Sequence, residues 1–572
     1  MKSARRIIFV FLALALFLPA AASGQQKSLE SLLPGDTILY VAWQGEAGMS
    51  AHKATNSVLR LWNDPELAPA RALLAGAMLS QDTKDMPPLS ADEYTQLLSN
   101  PAMFAICRLP AGIKPHEKDA AKKSLGGAGF HATLLGVYDR AGREKLLDKV
   151  LQWSPSGKPA PTITKTAFHG MELEEVKNGT DTSYRALAGH YLVYSDYREI
   201  TEQWASNLAS ASPAGGSLGE TEEFRAARQR AGSGAALSFF FNMRVLLESV
   251  NADIKDEQAR RGLQALHLDQ VHSIVGSMSF DDPATRFQFS LLGNIDPAGL
   301  LGLIAPSRAD FPTMKSTPAG VFYYSAMRLD LSALYRFARA VFGAVVPQGQ
   351  DVAFNQIDQY ATQQFGMSID EMLKLLSGDF TIVKQDPQGD LAEGMFILGV
   401  EKPADVLHVL ELLFASGITS EESVGDVTYL SFALPQASPP GKAAAQKKFY
   451  HLAIGPKMLV VAHRKSDARA YMARAQATGS GEASLATDPK FLAARSRLPV
   501  ELSSISYVDL SRVEWKDMVE KFSGFRNPAP DPQKLETIKA MFPAAAFSRS
   551  LHSIVTGMWR DKSGIYYDGY LE

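Results

Sequence analysis

Apolar and polar residues alternate at period two in several short stretches of the chain, which is the pattern of strands that bury one face. Residues 286–291 alternate in this way, and Asp281-Asp282-Pro283 supplies a turn between them and the preceding apolar run. Asn178-Gly179 lies between the stretches 171–176 and 183–188. Because Asn-Gly provides the positive φ angles of a type I′ turn, the sequence predicts a β-hairpin there.

Other segments carry apolar residues at the three- and four-residue spacing of amphipathic helices. These segments are 143–153, 331–342 and 404–414. Two further helices are predicted to begin with a capping box, in which a serine and a glutamate three residues later bond to each other's backbone amides. The pairs are Ser90 with Glu93 and Ser368 with Glu371. Hairpins interrupted by helices predict an α+β fold with a mainly antiparallel sheet.

Five segments of the first part of the chain recur in the second part, in the same order. They are 89–99 with 367–377, 134–137 with 397–400, 190–194 with 457–461, 224–228 with 491–495, and 272–275 with 552–555. The last pair is the unchanged sequence His-Ser-Ile-Val. Five matches in one order indicate a tandem duplication of a unit of about 260 residues.

The duplication predicts two homologous domains, each a mainly antiparallel sheet with packed helices. We place the first copy at 34–294 and the second at 318–572, since a turn residue and a strand follow both Pro34 and Pro318. The segment 295–317 contains three prolines and several glycines and is predicted to be a linker. Its apolar run 300–304 is suited to pack against one of the copies.

The first 24 residues have the pattern of a secretory signal peptide. Lys2, Arg5 and Arg6 precede the apolar run 7–18, and small residues follow at 20–24. The alternative is a retained N-terminal anchor, but the apolar run is short for a membrane span and the small residues suit a peptidase. We therefore expect export by the general secretory route, a soluble mature protein without a later transmembrane segment, and a periplasmic or secreted location.

Composition narrows the class of protein further. The chain has 572 residues, of which 46% are hydrophobic, with 58 basic and 61 acidic residues. The predicted signal peptide holds three basic residues and no acidic one, so the mature charge becomes −6. This balance gives no basis for a nucleic-acid partner. Cys107 is the one cysteine, and its apolar surroundings predict a buried, inert thiol.

Motifs for catalysis or cofactor binding are not evident in the sequence. It lacks a phosphate-binding loop, a dinucleotide fingerprint and a His-Glu-x-x-His pair. Ser50 and Lys53 have the spacing of penicillin-recognising enzymes without that family's other elements. The repeated His272 and His552 are better explained by local backbone bonding, and the acidic pairs 92–93, 174–175 and 281–282 by solvated structural positions. We therefore assign no catalytic, cofactor-binding or metal-ligating residue and expect no cofactor.

The opening Leu-Pro-Gly-Asp-Thr-Ile-Leu-Tyr-Val at 33–41 and the strand-to-helix block at 189–196 resemble bacterial exported proteins grouped as a domain of unknown function. The resemblance implies export and an uncharacterised role, and it carries no catalytic residues. The sequence favours a non-enzymatic binding or scaffolding protein of the cell envelope, whose ligand or envelope partner is unknown. The alternatives are a hydrolase of an envelope polymer or ester, and an apolar-ligand carrier lined by the aromatic runs 239–241 and 322–324.

Overall fold

The computed structural model describes most of the chain after residue 30. The described residues are 30, 33–45, 47–68, 101–108, 130–137, 161–178, 181–188, 191–209, 216–232, 234–254, 256–294, 299–346, 352–387, 393–414, 417–434, 448–477, 482–515 and 543–572. The predicted signal peptide, the Ser90 capping box and the helix at 143–153 lie outside these ranges.

The N-terminal half is defined here as the residues up to 294. Its strands are β1 Thr37–Trp43, β2 Ala102–Arg108, β3 Phe130–Val137, β4 Thr162–Phe168, β5 Met171–Asn178, β6 Asp181–Ala188, β7 Tyr191–Ser195, β8 Ala235–Asn242, β9 Val271–Asp281 and β10 Ala284–Gly293. Its helices are α1 Ala47–Ser50, α2 Ser57–Asn63, α3 Arg198–Ala209, α4 Glu222–Ala231, α5 Met243–Asp253 and α6 Glu257–Ala265.

The C-terminal half is defined as the residues from 299 onward. Its strands are β11 Tyr323–Arg328, β12 Leu376–Lys384, β13 Met395–Val400, β14 Ile418–Val424, β15 Val427–Leu434, β16 Lys448–Ile454, β17 Met458–Ala462, β18 Ser504–Asp509, β19 Ser553–Asp561 and β20 Gly564–Leu571. Its helices are α7 Thr313–Ser316, α8 Leu331–Val345, α9 Val352–Phe365, α10 Ile369–Leu373, α11 Pro403–Phe414, α12 Lys465–Gln476, α13 Pro489–Arg495 and α14 Ala544–Ser550.

The twenty strands that the structure describes join one antiparallel sheet, and the two halves have the same strand order. In the N-terminal half the order is β4-β5-β6-β7-β3-β2-β1-β8-β9-β10. In the C-terminal half it is β14-β15-β16-β17-β13-β12-β11-β18-β19-β20. The fold is therefore mixed α+β with an antiparallel sheet, as the sequence predicts. The described pairs of repeated segments that form strands occupy the same places in this order, and the helical pair, 224–228 and 491–495, precedes β8 in one half and β18 in the other.

The halves meet where β10 pairs with β20. Gln288 and Asp568 lie directly opposite each other in this pair, and each is the fifth residue of its strand. Pairing of equivalent positions in antiparallel strands places a local two-fold axis between these two residues. Helices also cross the junction, since α6 packs against α8 and α2 packs against α14.

Helices cover both faces of the sheet. On the first face, Ala453 and Val460 pack with Tyr471 of α12. On the second face, the neighbouring residues Leu452 and Leu459 pack with α11. Successive strand residues point to opposite faces, so burial on both sides explains the long apolar runs of these strands.

Matching aromatic clusters form the centre of each half. In the N-terminal half, Phe224 of α4 makes edge-on contacts at 5.2 Å with both Tyr40 and Phe240. In the C-terminal half, Phe491 of α13 contacts Tyr324 at 6.3 Å and Tyr507 at 5.3 Å in the same manner. The two clusters thus attach α4 and α13, respectively, to the central strands of their halves.

Local predictions agree with the structure where it describes them. Strands β5 and β6 pair across 178–181 as the predicted hairpin. The second capping box is present, since the Ser368 amide donates to Glu371 at 2.8 Å and the Glu371 amide donates to the Ser368 hydroxyl at 3.3 Å. These backbone and hydroxyl bonds from Ser368 lower the pKa of Glu371.

The described part of the predicted linker, 299–317, packs into the C-terminal half. Phe311 lies in the core of that half, and Arg308 forms two backbone hydrogen bonds with Leu502, of 3.0 and 2.8 Å. Leu301 is buried at the junction, packed with Val271 and Ile565. Helix α7 lies in the same segment and packs on α12. This segment therefore contributes side chains to the C-terminal half.

Candidate functional site

A groove of about 730 Å³ opens on the first face of the C-terminal half. Strands β12 and β13 form its floor, α12 forms one wall, and the segment 308–316 with α7 forms the other. Its volume lies within the usual range of small-molecule sites, roughly 300–1,000 Å³. The groove is therefore our candidate functional site.

Hydroxyl groups connect the floor of the groove to the core. The Thr313 Oγ1 lies 2.9 Å from the Tyr324 hydroxyl and 3.0 Å from the Thr381 Oγ1. The Tyr471 hydroxyl donates to the Thr313 carbonyl at 3.4 Å. Burial raises the pKa of Tyr324, and it raises the pKa of Tyr471 to about 12. Both phenols stay neutral at physiological pH, so they can donate hydrogen bonds but cannot act as bases.

An ion pair lies beside these hydroxyls. Arg308 contacts Asp379 through two nitrogen–oxygen pairs, at 2.8 and 3.3 Å, and the Ser377 hydroxyl donates to Asp379 at 3.3 Å. The guanidinium also lies 5.2 Å from the ring centre of Phe311. Because both charged side chains are about three-quarters buried, the pair is a fixed polar feature of the groove.

Gly399 on β13 allows this close packing. A Cβ atom at Gly399 would lie 1.9 Å from the Ser377 hydroxyl and 3.0 Å from the Asp379 Cβ. A larger residue would therefore displace the serine and the ion pair with it.

The walls of the groove are apolar and its rim is charged. Apolar lining comes from Phe311, Met327, Ile397, Val400, Met458 and Met472. The exposed charges at the rim are Asp310, Lys315, Glu401 and Lys457. Within the described ranges, none of these four forms an ion pair, so the rim carries two free charges of each sign.

A second polar cluster lies on the same face at the junction of the halves. The buried Asp568 accepts from Arg230 at 2.9 Å, from Arg286 at 2.5 Å and from Gln288 at 3.3 Å. Arg230 also lies 4.8 Å from the ring centre of Trp559. These side chains fill the space above β10 and β20, so the cluster joins the halves and leaves the groove as the better candidate site.

The repeated histidines do not meet. His272 lies near the start of β9 and His552 immediately precedes β19, and β10 and β20 separate these strands. Because β9 and β19 run in opposite directions across that junction, the two imidazoles lie at opposite ends of the sheet. They form no joint site.

The other residues singled out from the sequence have structural surroundings. Ser50 ends α1 and Lys53 lies in the turn that follows. Glu174 pairs with Arg185 and Lys165, and Glu175 pairs with Lys177. Cys107 is buried on β2, where desolvation raises the pKa of its thiol to about 12. A protonated, buried thiol is inert at neutral pH.

The aromatic runs considered for an apolar carrier divide between core and surface layers. Phe240 and Tyr324 belong to the central clusters described above, while Phe239, Phe241 and Tyr323 are half-buried. The run 239–241 contributes nothing to the groove, but Phe239 and Phe240 line a separate pocket of about 310 Å³ in the N-terminal half.

Sequence reasoning missed one serine–histidine pair. Ser431 on β15 and His451 on β16 are cross-strand neighbours, and the Ser431 hydroxyl lies 2.9 Å from the His451 Nδ1. Burial, followed by the nearby charge of Lys465, lowers the pKa of His451. The pair joins residues 20 positions apart on two strands, so a motif search by short spacing does not find it.

The groove was missed for a similar reason. Arg308, Thr313, Asp379 and Thr381 come from a predicted linker, a short helix and one strand, and none belongs to a known motif. No group of three or more His, Cys, Asp or Glu residues suited to a metal ion occurs in the described ranges. In the same ranges, no helix combines the length and apolarity that crossing a membrane requires.

Comparison with protein-family models, with curated proteins and with solved structures finds no match to this chain.

Proposed function

We propose that this protein is an exported, non-enzymatic component of the cell envelope that binds a ligand in the groove of its C-terminal half. The signal-peptide pattern of residues 1–24 supports export to the periplasm or beyond. The groove itself carries the proposal for binding, because it combines an accessible volume of about 730 Å³ with fixed polar groups on an apolar lining.

The chemistry of the groove favours binding over catalysis. Arg308 neutralises Asp379, and the two buried tyrosines are held in the neutral form. On the groove lining, the hydroxyls of Ser377 and Thr381 and the Arg308–Asp379 pair offer hydrogen-bond donors and acceptors to a ligand. They do not include a base placed against a nucleophile, which acyl or glycosyl transfer requires.

The proposal includes a tandem duplication, with 34–294 and 318–572 as two copies of one α+β domain. Equal strand order in the two halves supports it, as do the matching contacts of Phe224 and Phe491 with their neighbours. A copied domain that pairs with itself edge to edge accounts for the local two-fold axis at Gln288 and Asp568.

Native mass spectrometry of the full chain, purified from an envelope fraction, tests the binding function. Ala475 on α12 lines the groove, whereas Ala473 on the same helix is exposed. We expect a bound small-molecule mass in the wild type and in Ala473→Trp, and its loss in Ala475→Trp. An equal bound mass in both variants, or none in the wild type, would contradict the proposal.

The second candidate function is an ester hydrolase, and the Ser431–His451 pair favours it. A neutral imidazole beside a serine hydroxyl is the arrangement that activates a serine nucleophile. Two facts oppose it: Ser431 is buried at 7% exposure, and the described residues place no carboxylate on His451. Hydrolysis of p-nitrophenyl acetate that disappears in Ser431→Ala would establish this function, while equal rates would exclude it.

A further inference from the structure

The charges at the groove rim restrict the class of ligand. Lys315 and Lys457 attract anions, while Asp310 and Glu401 repel them, and all four are exposed. A phosphate or a fatty-acid head group would therefore meet charges of its own sign as well as opposite ones. A ligand that carries both signs can pair with both kinds of rim charge.

The floor and walls restrict it further. Hydroxyls of Thr381 and Ser377 and the ion pair of Arg308 with Asp379 offer donors and acceptors side by side, as the amides of a main chain require. Met458 and Met472 line the walls, and thioether side chains adapt to apolar groups of different shapes.

A sugar fits this lining less well. Phe311 is the aromatic residue of the described groove lining, and its side chain is buried at 3% exposure. The described lining therefore offers no exposed ring face on which a sugar could stack. The combination of adaptable apolar walls, amide-matching polar groups and a rim of both signs is suited to peptide.

We propose that the groove binds a short peptide segment with apolar side chains and a charge of each sign. This inference rests on the binding function proposed above and names its ligand class. The peptide backbone lies along the floor hydroxyls, its apolar side chains contact the methionines, and its charged ends pair with the rim.

Fluorescence anisotropy on the full chain tests the ligand class. The probe is a labelled short peptide of leucines flanked by one lysine and one glutamate. Dodecanoate, maltose and inorganic phosphate serve as unlabelled competitors, with the unlabelled peptide as the positive control. We expect competition by the unlabelled peptide and none by the other three.

Paired variants locate the binding. Ala475→Trp is expected to weaken peptide binding by more than about tenfold, because the indole occupies the groove, while Ala473→Trp changes it by less than about twofold. Lys457→Glu removes one rim cation and weakens binding several-fold at low salt. The same charge change at the exposed Arg225 on α4, in the other half, leaves it unaltered.

The outcomes separate this inference from the binding function. If dodecanoate binds in place of the peptide and Ala475→Trp blocks it, the peptide class is wrong and the binding function stands. If the peptide does not bind the wild type, the ligand class is likewise overturned, and native mass spectrometry decides the binding function. If the peptide binds equally to both tryptophan variants, the groove is not its site.

Discussion

The two halves share a framework but differ in how the space beside the aromatic cluster is filled. In the N-terminal half, a cavity of about 310 Å³ is lined by Tyr40, Ala231 and Ala235. When α4 and β8 are aligned with α13 and β18 of the C-terminal half, Ala231 corresponds to Leu498 and Ala235 to Leu502. Both leucines are buried. The larger side chains at these two positions fill space in the C-terminal half that the alanines leave open in the N-terminal half.

The halves differ again beneath the candidate groove. Tyr40 pairs in register with Ala105, and Tyr324 pairs with Val383, so Met103 and Thr381 occupy equivalent positions two residues earlier. Met103 belongs to an apolar cluster, whereas Thr381 bonds to Thr313. At this pair of equivalent positions, therefore, only the C-terminal half has a hydroxyl group that contributes to the network of the groove.

The largest expected effect is the loss of a filling leucine. Leu502→Ala would give the C-terminal half the alanine of its counterpart and leave a cavity around a fully buried site. We expect the free energy of unfolding to fall by about 3–4 kcal/mol, measured by urea denaturation. The reverse change, Ala235→Leu, fills the existing cavity and is expected to raise it by up to about 1 kcal/mol. An unchanged free energy of unfolding in Leu502→Ala would show that the comparison of the two sites is mistaken.

The next effect concerns the junction, where Gln288 and Asp568 are equivalent residues with different charges. Asp568→Ala would leave Arg230 and Arg286 without their shared carboxylate in a largely buried cluster. We expect a cost of about 3 kcal/mol in urea denaturation. Gln288→Ala removes one neutral donor to Asp568 and the acceptor of the Ser277 hydroxyl, and should cost about 1–2 kcal/mol. Equal costs for the two changes would contradict a charge-based role for Asp568.

A smaller effect is expected from exchanging the residues beneath the groove. Thr381→Met would remove the bond to Thr313 and insert a longer side chain into a buried position. We expect a loss of about 2 kcal/mol together with weaker ligand binding, since Thr381 lines the groove. Thr381→Val keeps the shape and loses only the hydroxyl, so about 1 kcal/mol is expected. A Thr381→Met protein with unchanged stability and binding would refute this account.

The smallest expected effect is a pH dependence of stability that one of two corresponding turns has and the other lacks. Asp282 lies in the β9–β10 turn, and the exposed Lys562 takes its place in the β19–β20 turn. Partial burial raises the pKa of Asp282, but hydrogen bonds from Thr55 at 2.5 Å and His52 at 2.8 Å outweigh it, so the net pKa is lowered.

A carboxyl group whose pKa is lower in the folded state stabilises the fold at pH values above its pKa in the unfolded chain, which is near 4. This contribution is lost as the pH falls through the pKa of the folded state. We therefore expect Asp282→Asn to cost less than about 1 kcal/mol at pH 7 and nothing at pH 2. Urea midpoints at the two pH values measure this. The control Lys562→Gln should show no such pH dependence, and a cost for Asp282→Asn that persists at pH 2 would contradict the assignment.

The fold was predictable where local chemistry decides it. The hairpin of β5 and β6 and the Ser368 capping box depend on neighbours within a few residues, and both predictions are confirmed. The repeated segments that the structure describes lie in strands or helices of the same kind in both halves, and the two members of each pair have apolar residues at most of the same positions. The groove was not predictable, since Arg308 and Asp379 lie 71 residues apart and their pairing depends on the path of the chain between them.

The sequence by itself determined the α+β class, the hairpins, the helix starts and the order of repeated elements. These depend on side-chain periodicity, turn geometry and capping, which act over a few residues. Only the tertiary structure decided that β10 pairs with β20, that Asp568 is surrounded by two arginines, and that a groove opens beside α12. Those features depend on contacts between distant segments, whose partners no local pattern specifies.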